Sequence, residues 1–296
     1  MPQARANGIQ LEYETFGRAS DAPLLLIMGL GAQMLLWDEE FCDLLAARGH
    51  YVVRFDNRDV GLSTKFDHAG VPDLAKIMAP GADRSSVAYT LDDMADDAAG
   101  LLGALRIDSA HIVGASMGGM IAQTVAYRHA AKTRSLVSIM SSTGNPALPP
   151  AKPEAMAVLM TPRPTDRASN IDAAVAASKV IGSPAYPPDE ARLRERAGRM
   201  YDRAFTPLGT LRQMAAIFAH GNRAPRLGAV TAPTLVIHGV ADALVPVEGG
   251  RDTAKSIAGA QLLELEGMGH DLPQALWTTL ADAIAGHARK AEAARR

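Results

Sequence analysis

The chain has 296 residues, 48% of them hydrophobic and 21% charged, and its 30 Lys and Arg against 32 Asp and Glu give a formal net charge of −2. That length suits one large α/β domain with an insertion or two modest domains, and the near-neutral balance argues against a nucleic-acid or anionic-membrane binder, which needs a basic stripe. A single cysteine, Cys42, excludes an internal disulfide, the start lacks the apolar stretch of a signal peptide, and no uncharged apolar run reaches the roughly 18 residues of a membrane span. The expectation is a soluble, cytoplasmic protein, monomer or homodimer, with no nucleic-acid and no membrane partner.

Residues 9–14 (IQLEYE) alternate apolar and polar, the period of a half-exposed strand in an antiparallel hairpin at a sheet edge. The later strand candidates lack that alternation: 24–28 (LLLIM), 51–55 (YVVRF), 110–113 (AHIV), 136–140 (LVSIM), 234–237 (TLVI) and, more weakly, 262–265 (LLEL). Short apolar runs bounded by Gly or Pro read as strands of a parallel sheet covered on both faces. Helical patterns lie between them. Residues 38–48 carry Phe41, Leu44 and Leu45 at helical spacing and stop at Gly49. Residues 91–105 follow Thr90 as N-cap, with Asp92 and Asp93 in the first turn. Residues 117–129 and 273–287 complete the set, and the tail from Arg289 reads as a frayed helix. The alternation implies an α/β fold with a mostly parallel, doubly wound sheet.

From 145 to 226 the rhythm breaks. Prolines punctuate short helical patterns there, and Leu211, Met214, Ala215 and Phe218 fall on one face of an amphipathic helix. The reading is an α/β core over 1–144 and 227–296 with a helical cap at 145–226 folding over the C-terminal edge of the sheet. Within the cap, Met156, Met160, Phe205, Met214 and Phe218 are candidates to line an apolar substrate pocket; the alternative is that they form the cap's own small core. Methionines suit a permissive pocket because they adapt to varied shapes.

The chemistry starts at Gly114-Ala115-Ser116-Met117-Gly118, a G-x-S-x-G pattern directly after a strand candidate and directly before a helical one. A nucleophile on a sharp strand-to-helix turn needs small neighbours, which Gly114, Gly118 and Gly119 supply. A serine hydroxyl is a weak nucleophile at neutral pH, so a base oriented by a carboxylate must stand beside it. Of eight histidines, His50, His68, His129, His220 and His287 read as solvated surface groups, His111 as structural, and His238 as packed at the end of its strand. His270 lies in the Gly-rich loop Gly267-Met268-Gly269-His270-Asp271 after the last strand candidate, where it can reach over the sheet. Asp242 follows another strand, and ligands of open α/β sheets collect at such carboxyl ends; Asp252 and Asp271 are weaker candidates. The order Ser116, Asp242, His270 is that of this type of triad. For the oxyanion, the donors expected are the N–H groups of Met117 and Leu30, the latter in Gly29-Leu30-Gly31. That Gly-x-Gly is a poor dinucleotide fingerprint, because Met34 stands where the third small residue belongs.

With these pieces, and with Phe55-Asp56-Asn57-Arg58-Asp59-Val60-Gly61-Leu62-Ser63, His238-Gly239-Val240-Ala241-Asp242 and Gly269-His270 in order, the chain resembles the α/β-hydrolase superfamily, and within it small bacterial esterases of the aclacinomycin methylesterase type. Met28 departs from the pattern: many relatives carry His there. The resemblance implies a Ser–His–Asp hydrolase with a helical cap, acting on a small-molecule ester, with Asp56 and Arg58 in a structural loop supporting the oxyanion turn. No cofactor and no metal are expected. The implied reaction is hydrolysis of short to medium carboxylic esters. Alternatives with the same machinery are an enol-lactonase, a carbon–carbon bond hydrolase, and a cofactor-free haloperoxidase or perhydrolase. A hydrolase-fold ligand receptor is the non-enzymatic alternative.

Overall fold

In the computed structural model, which describes residues 2–79 and 86–295, the chain winds around an eight-stranded sheet. The strands are β1 (Gln3–Ala6), β2 (Ile9–Phe16), β3 (Ala22–Ile27), β4 (His50–Phe55), β5 (Ala110–Ala115), β6 (Thr133–Ile139), β7 (Thr234–Gly239) and β8 (Gln261–Leu265), in spatial order β1-β2-β4-β3-β5-β6-β7-β8. β1 and β2 form an antiparallel hairpin, β2 pairs antiparallel with β4, and every later pairing is parallel. The hairpin turn is Asn7-Gly8, both at positive φ (47° and 80°), the backbone that a two-residue turn matched to strand twist requires.

The absence of alternation in the inner strands has its cause in two cores. Successive side chains of a strand point to opposite faces. In β3, Leu25 and Ile27 enter a core with Leu101, Leu102 and Ile121 from α3 (Leu91–Ala104) and α4 (Met117–Arg128), whereas Leu24 and Leu26 enter one with Phe41 and Ile284 from α1 (Glu39–Ala46) and α11 (Trp277–Ala294). Both faces are dry, so both must be apolar. α3 starts as expected at Thr90, whose side chain accepts from the Asp92 amide, while the Asp93 carboxylate accepts from the Thr90 amide in a capping box. Between these lies α2 (Leu74–Met78), which had no counterpart among the expected elements.

Helices α5 (Pro153–Met160), α6 (Arg167–Ile181), α7 (Glu190–Arg203), α8 (Pro207–His220) and α9 (Ala224–Leu227) occupy the chain between β6 and β7, and α10 (Glu248–Ser256) separates β7 from β8. α8 lies where the amphipathic pattern placed a helix, yet its most buried stretch includes Arg212 and Gln213, while Leu211 and Phe218 are only half-buried. The reason is specific pairing: Arg212 forms a two-pronged ion pair with Asp59, both bonds 2.8 Å, so a charged side chain faces the core without a bare charge.

Three histidines depart from their expected solvated state. His50 and His287 are buried, as is the side chain of His220. Each uses a ring nitrogen: His50 Nδ1 faces the Ala22 carbonyl at 3.4 Å, His287 Nε2 donates to the Pro233 carbonyl at 3.0 Å, and His220 Nε2 meets the Tyr127 hydroxyl at 3.2 Å. The tail also differs from the frayed helix expected: α11 stays helical to Ala294 because Ala288 and Ala291 are buried. His111 is structural, its Nδ1 2.8 Å from the Ser135 hydroxyl. Burial pushes its imidazole down to about 3, aided by His50 and Arg134. A depressed histidine favours the folded state fully above the unfolded value of roughly 6.5, and that contribution is lost as pH falls from there toward about 3. His111→Gln is therefore expected to flatten the fall in stability between these limits by up to about 1.4 kcal/mol per pH unit, measured by denaturant unfolding across that range.

Candidate active site

The chain runs from β3 to β4 on one side and on to β5 on the other, so the carboxyl ends of β3 and β5 flank the point where winding reverses, a place where α/β sheets hold ligands. Ser116 sits between β5 and α4 with φ 57° and ψ −121°, a conformation that an L-residue holds only when its surroundings enforce it. Three contacts do so. The Ser116 amide donates to the Ile139 carbonyl at 2.9 Å, and its own carbonyl accepts from the Gly119 amide at 2.9 Å and from the Ser141 hydroxyl at 2.8 Å. The glycines are steric necessities: a Cβ on Gly114 would lie 2.0 Å from the Gly118 carbonyl oxygen, and one on Gly118 would lie 2.0 Å from that of Ile27.

His270 reaches this hydroxyl. Its Nε2 is 2.9 Å from Ser116 Oγ and its Nδ1 is 2.7 Å from Asp242 Oδ2. The other Asp242 oxygen accepts from the amides of Leu244 at 2.9 Å and Val245 at 2.8 Å, which locks the carboxylate plane. Burial alone would raise the Asp242 carboxyl; the facing His270, with hydrogen bonds from His270 and the Val245 amide and the His238 ring 3.6 Å away, instead holds it well below the usual carboxylate range. The acid is thus ionised and aimed at the imidazole. The weaker candidates stand elsewhere: Asp252 accepts from the Thr143 hydroxyl, and Asp271 accepts from Ser183. His238 is fully buried below the acid turn, with Nε2 donating to the Val245 carbonyl at 2.8 Å.

The turn after β3 presents its backbone to the same point. A Cβ on Gly29 would meet Ser116 Cβ at 3.1 Å. Of the three amides after Gly29, Ala32 donates to the Gly29 carbonyl at 3.3 Å and Gly31 to Gln213 Oε1 at 2.8 Å, while Leu30 has no partner among the described residues. Met117 is the first residue of α4, so its amide also lacks a partner within the helix. The turn is braced from below: Asn57 Nδ2 donates to the Met28 carbonyl at 2.9 Å, and Asp56 accepts from the Met34 amide at 2.8 Å and from Arg203 at 2.6 Å. Asp56 therefore supports the turn, whereas the Arg58 side chain pairs with Asp97 at 2.6 Å, away from it.

Spacing along the chain carries no sign of Ser141, Asn57, Gln213 or Ser183. Ser183 holds the histidine loop: its hydroxyl accepts from the Gly269 amide at 2.9 Å and donates to Asp271, while the His270 amide donates to the Ile181 carbonyl at 2.7 Å. Both loops are thus tied to helices α6 and α8. Of the apolar candidates, Met156 and Met160 lie exposed on α5, Phe205 packs its ring, tilted, against that of Tyr201 with centroids 5.3 Å apart, Phe218 is half-buried, and Met214 is buried beside Gln213. Among the described residues no group of three or more His, Cys, Asp or Glu side chains could hold a metal.

The profile of the alpha/beta hydrolase fold family matches residues 22–273. The chain is 30% identical, over 96% of both chains, to the rhodomycin D methylesterase DauP of Streptomyces sp. (strain C5). Among solved structures it resembles the enol-lactonase of Burkholderia xenovorans LB400, with a TM-score of 0.70, 21% identity and coverage of 99% of this chain and 100% of that one. It also resembles a meta-cleavage product hydrolase of Pseudomonas fluorescens IP01, with a TM-score of 0.70, 19% identity and coverage of 99% and 96%. Both structural likenesses concern the fold.

Proposed function

We infer, from the premise that the chain belongs to the α/β-hydrolase fold family, that it is a serine hydrolase of carboxylic esters working through an acyl-enzyme on Ser116. The observation that carries this reading is the unbroken hydrogen-bonded relay from Ser116 Oγ through His270 to Asp242. In the reaction, Ser116 Oγ attacks the ester carbonyl as His270 Nε2 takes its proton. Asp242 holds the proton on Nδ1 and stabilises the imidazolium. The amides of Leu30 and Met117 receive the oxyanion of the tetrahedral intermediate, a charge that fixed donors stabilise without reorganising. The imidazolium then protonates the leaving alcohol, the acyl-enzyme forms, and water activated by His270 releases the acid by the same steps.

Short to medium esters are the proposed substrates, in keeping with the methylesterase activity named for the relative. We assign the receiving apolar surface to Met156, Met160, Phe205, Met214 and Phe218, with residues 145–226 as the cap. The exposed methionines of α5 can adapt to the substrate; buried Met214 can serve only as a wall. A cytoplasmic monomer or homodimer is the proposed state. The proposed location is in keeping with a lone cysteine that is buried, its thiol pushed up to about 12 by burial. No helix among the described residues is long and apolar enough to cross a membrane.

The test is covalent trapping. A fluorophosphonate is expected to add one adduct, at Ser116, and to abolish turnover of p-nitrophenyl acetate in parallel; an active enzyme labelled elsewhere would end the proposal. Enol-lactone and vinylogous diketone substrates in the same assay separate simple esters from the other acyl-transfer chemistries of the same triad.

A further inference from the structure

We propose that Gln213 is a positioning residue of the oxyanion hole, through which α8 sets the direction of the Leu30 amide. The proposal rests on the acyl-enzyme reading above. Gln213 is fully buried, and both ends of its side-chain amide are used: Oε1 accepts from the Gly31 amide at 2.8 Å, and Nε2 donates to the Arg58 carbonyl at 2.8 Å. One partner can only donate and the other can only accept, so the amide orientation is fixed by its neighbours.

The geometry of the turn makes this bond consequential. Residues 29–32 close with the Ala32 amide on the Gly29 carbonyl, and Gly31, third in the turn, has φ 64°, the positive value that a type II turn demands there. The Leu30 N–H and the Gly31 N–H belong to consecutive peptide planes hinged at the Leu30 Cα, each rigid in itself. Fixing the second plane to Gln213, with the turn closed by Ala32, leaves the first little freedom to rotate. A Cβ on Gly31 would come within 2.6 Å of the Thr210 hydroxyl, so α8 presses on the turn as well as bonding to it. Without Gln213, the Gly31 amide would seek another acceptor and turn the Leu30 amide with it. An oxyanion donor acts only when it points where charge develops, so misalignment appears in the transition state rather than in substrate binding.

The test uses the full chain carrying Gln213→Met, similar in shape but without either bond, and Gln213→Glu. In Gln213→Met, kcat on p-nitrophenyl acetate is expected to fall about ten- to a hundredfold with little change in KM. The affinity for an aryl trifluoromethyl ketone, whose adduct with Ser116 bears the oxyanion, is expected to fall by the same factor. A purely structural Gln213 would lower the melting temperature and leave both quantities unchanged in the folded protein. In Gln213→Glu, the donor to the Arg58 carbonyl returns only when the carboxyl is protonated, so its deficit relative to the wild type at each pH is expected to shrink on acidification. Folded Gln213→Met with kcat and ketone affinity within about twofold of wild type overturns the proposal. If that variant does not fold, a pH-independent deficit in Gln213→Glu does so. Wild type that neither turns over esters nor reacts at Ser116 refutes the ester-hydrolase reading, and this proposal with it; active wild type with unaffected variants refutes this proposal alone.

Discussion

Ser116→Ala is expected to lower kcat for ester hydrolysis by about four to six orders of magnitude while the protein stays folded. Among the described residues the Ser116 hydroxyl makes one hydrogen bond, to His270 Nε2, and the forces that hold the elbow act on its backbone, through Ile139, Gly119 and Ser141. Removing the oxygen therefore removes the proposed nucleophile and leaves the turn standing. Asp242→Asn is expected to cost about 10⁴-fold, because an amide facing His270 Nδ1 no longer enforces the tautomer that leaves Nε2 free to accept a proton. Single-turnover measurements with p-nitrophenyl acetate and circular dichroism of the same samples separate lost chemistry from lost structure. Near-wild-type turnover by Ser116→Ala would remove the acyl-enzyme.

Gly114→Ala is expected to destabilise the protein by ~4 kcal/mol or more, enough to prevent accumulation of folded chain. The added methyl group would stand 2.0 Å from the Gly118 carbonyl oxygen and 2.7 Å from the Gly119 amide nitrogen, all backbone, so no side chain can yield. Relief requires α4 to lift from β5, and α4 contributes Ile121, Ala122 and Val125 to the core. Gly103→Ala is the matched control. Gly103 lies near the end of α3, and a methyl group there would have nothing within 4 Å. The change is expected to stabilise by ~0.5–1 kcal/mol through helix propensity and a less mobile unfolded chain. Denaturant midpoints of the two variants read this contrast directly.

Much of this architecture is legible in the sequence. The inner strands are short apolar runs because two dry cores, one on each face, leave no polar side to them. Ser116, Asp242 and His270 each stand just past a strand, and parallel strands deliver all such positions to one edge, so three residues far apart in sequence come within hydrogen-bonding distance. What stays hidden is long-range polar pairing. Gln213 and Arg212 look like solvent-facing members of an amphipathic helix until Arg58 and Asp59 supply partners more than 150 residues away. The burial of His50, His220 and His287 escapes notice for the same cause: a histidine in a polar stretch gives no sign of the carbonyl or hydroxyl that will bury it. Short-range rules register period and caps, and they are blind to such matches.

The ties from Ile181 and Ser183 to the His270 loop, and from Gln213 to Gly31, limit how this chain can be re-engineered. A graft that exchanged α6 through α8 wholesale for those of a homologue would discard the struts of the Ser116–His270–Asp242 relay and of the turn after β3 in one stroke. Under the proposed pocket assignment, tailoring toward new esters is better confined to α5, whose methionines are exposed. In this scaffold, exchange of whole segments stops where α6 begins.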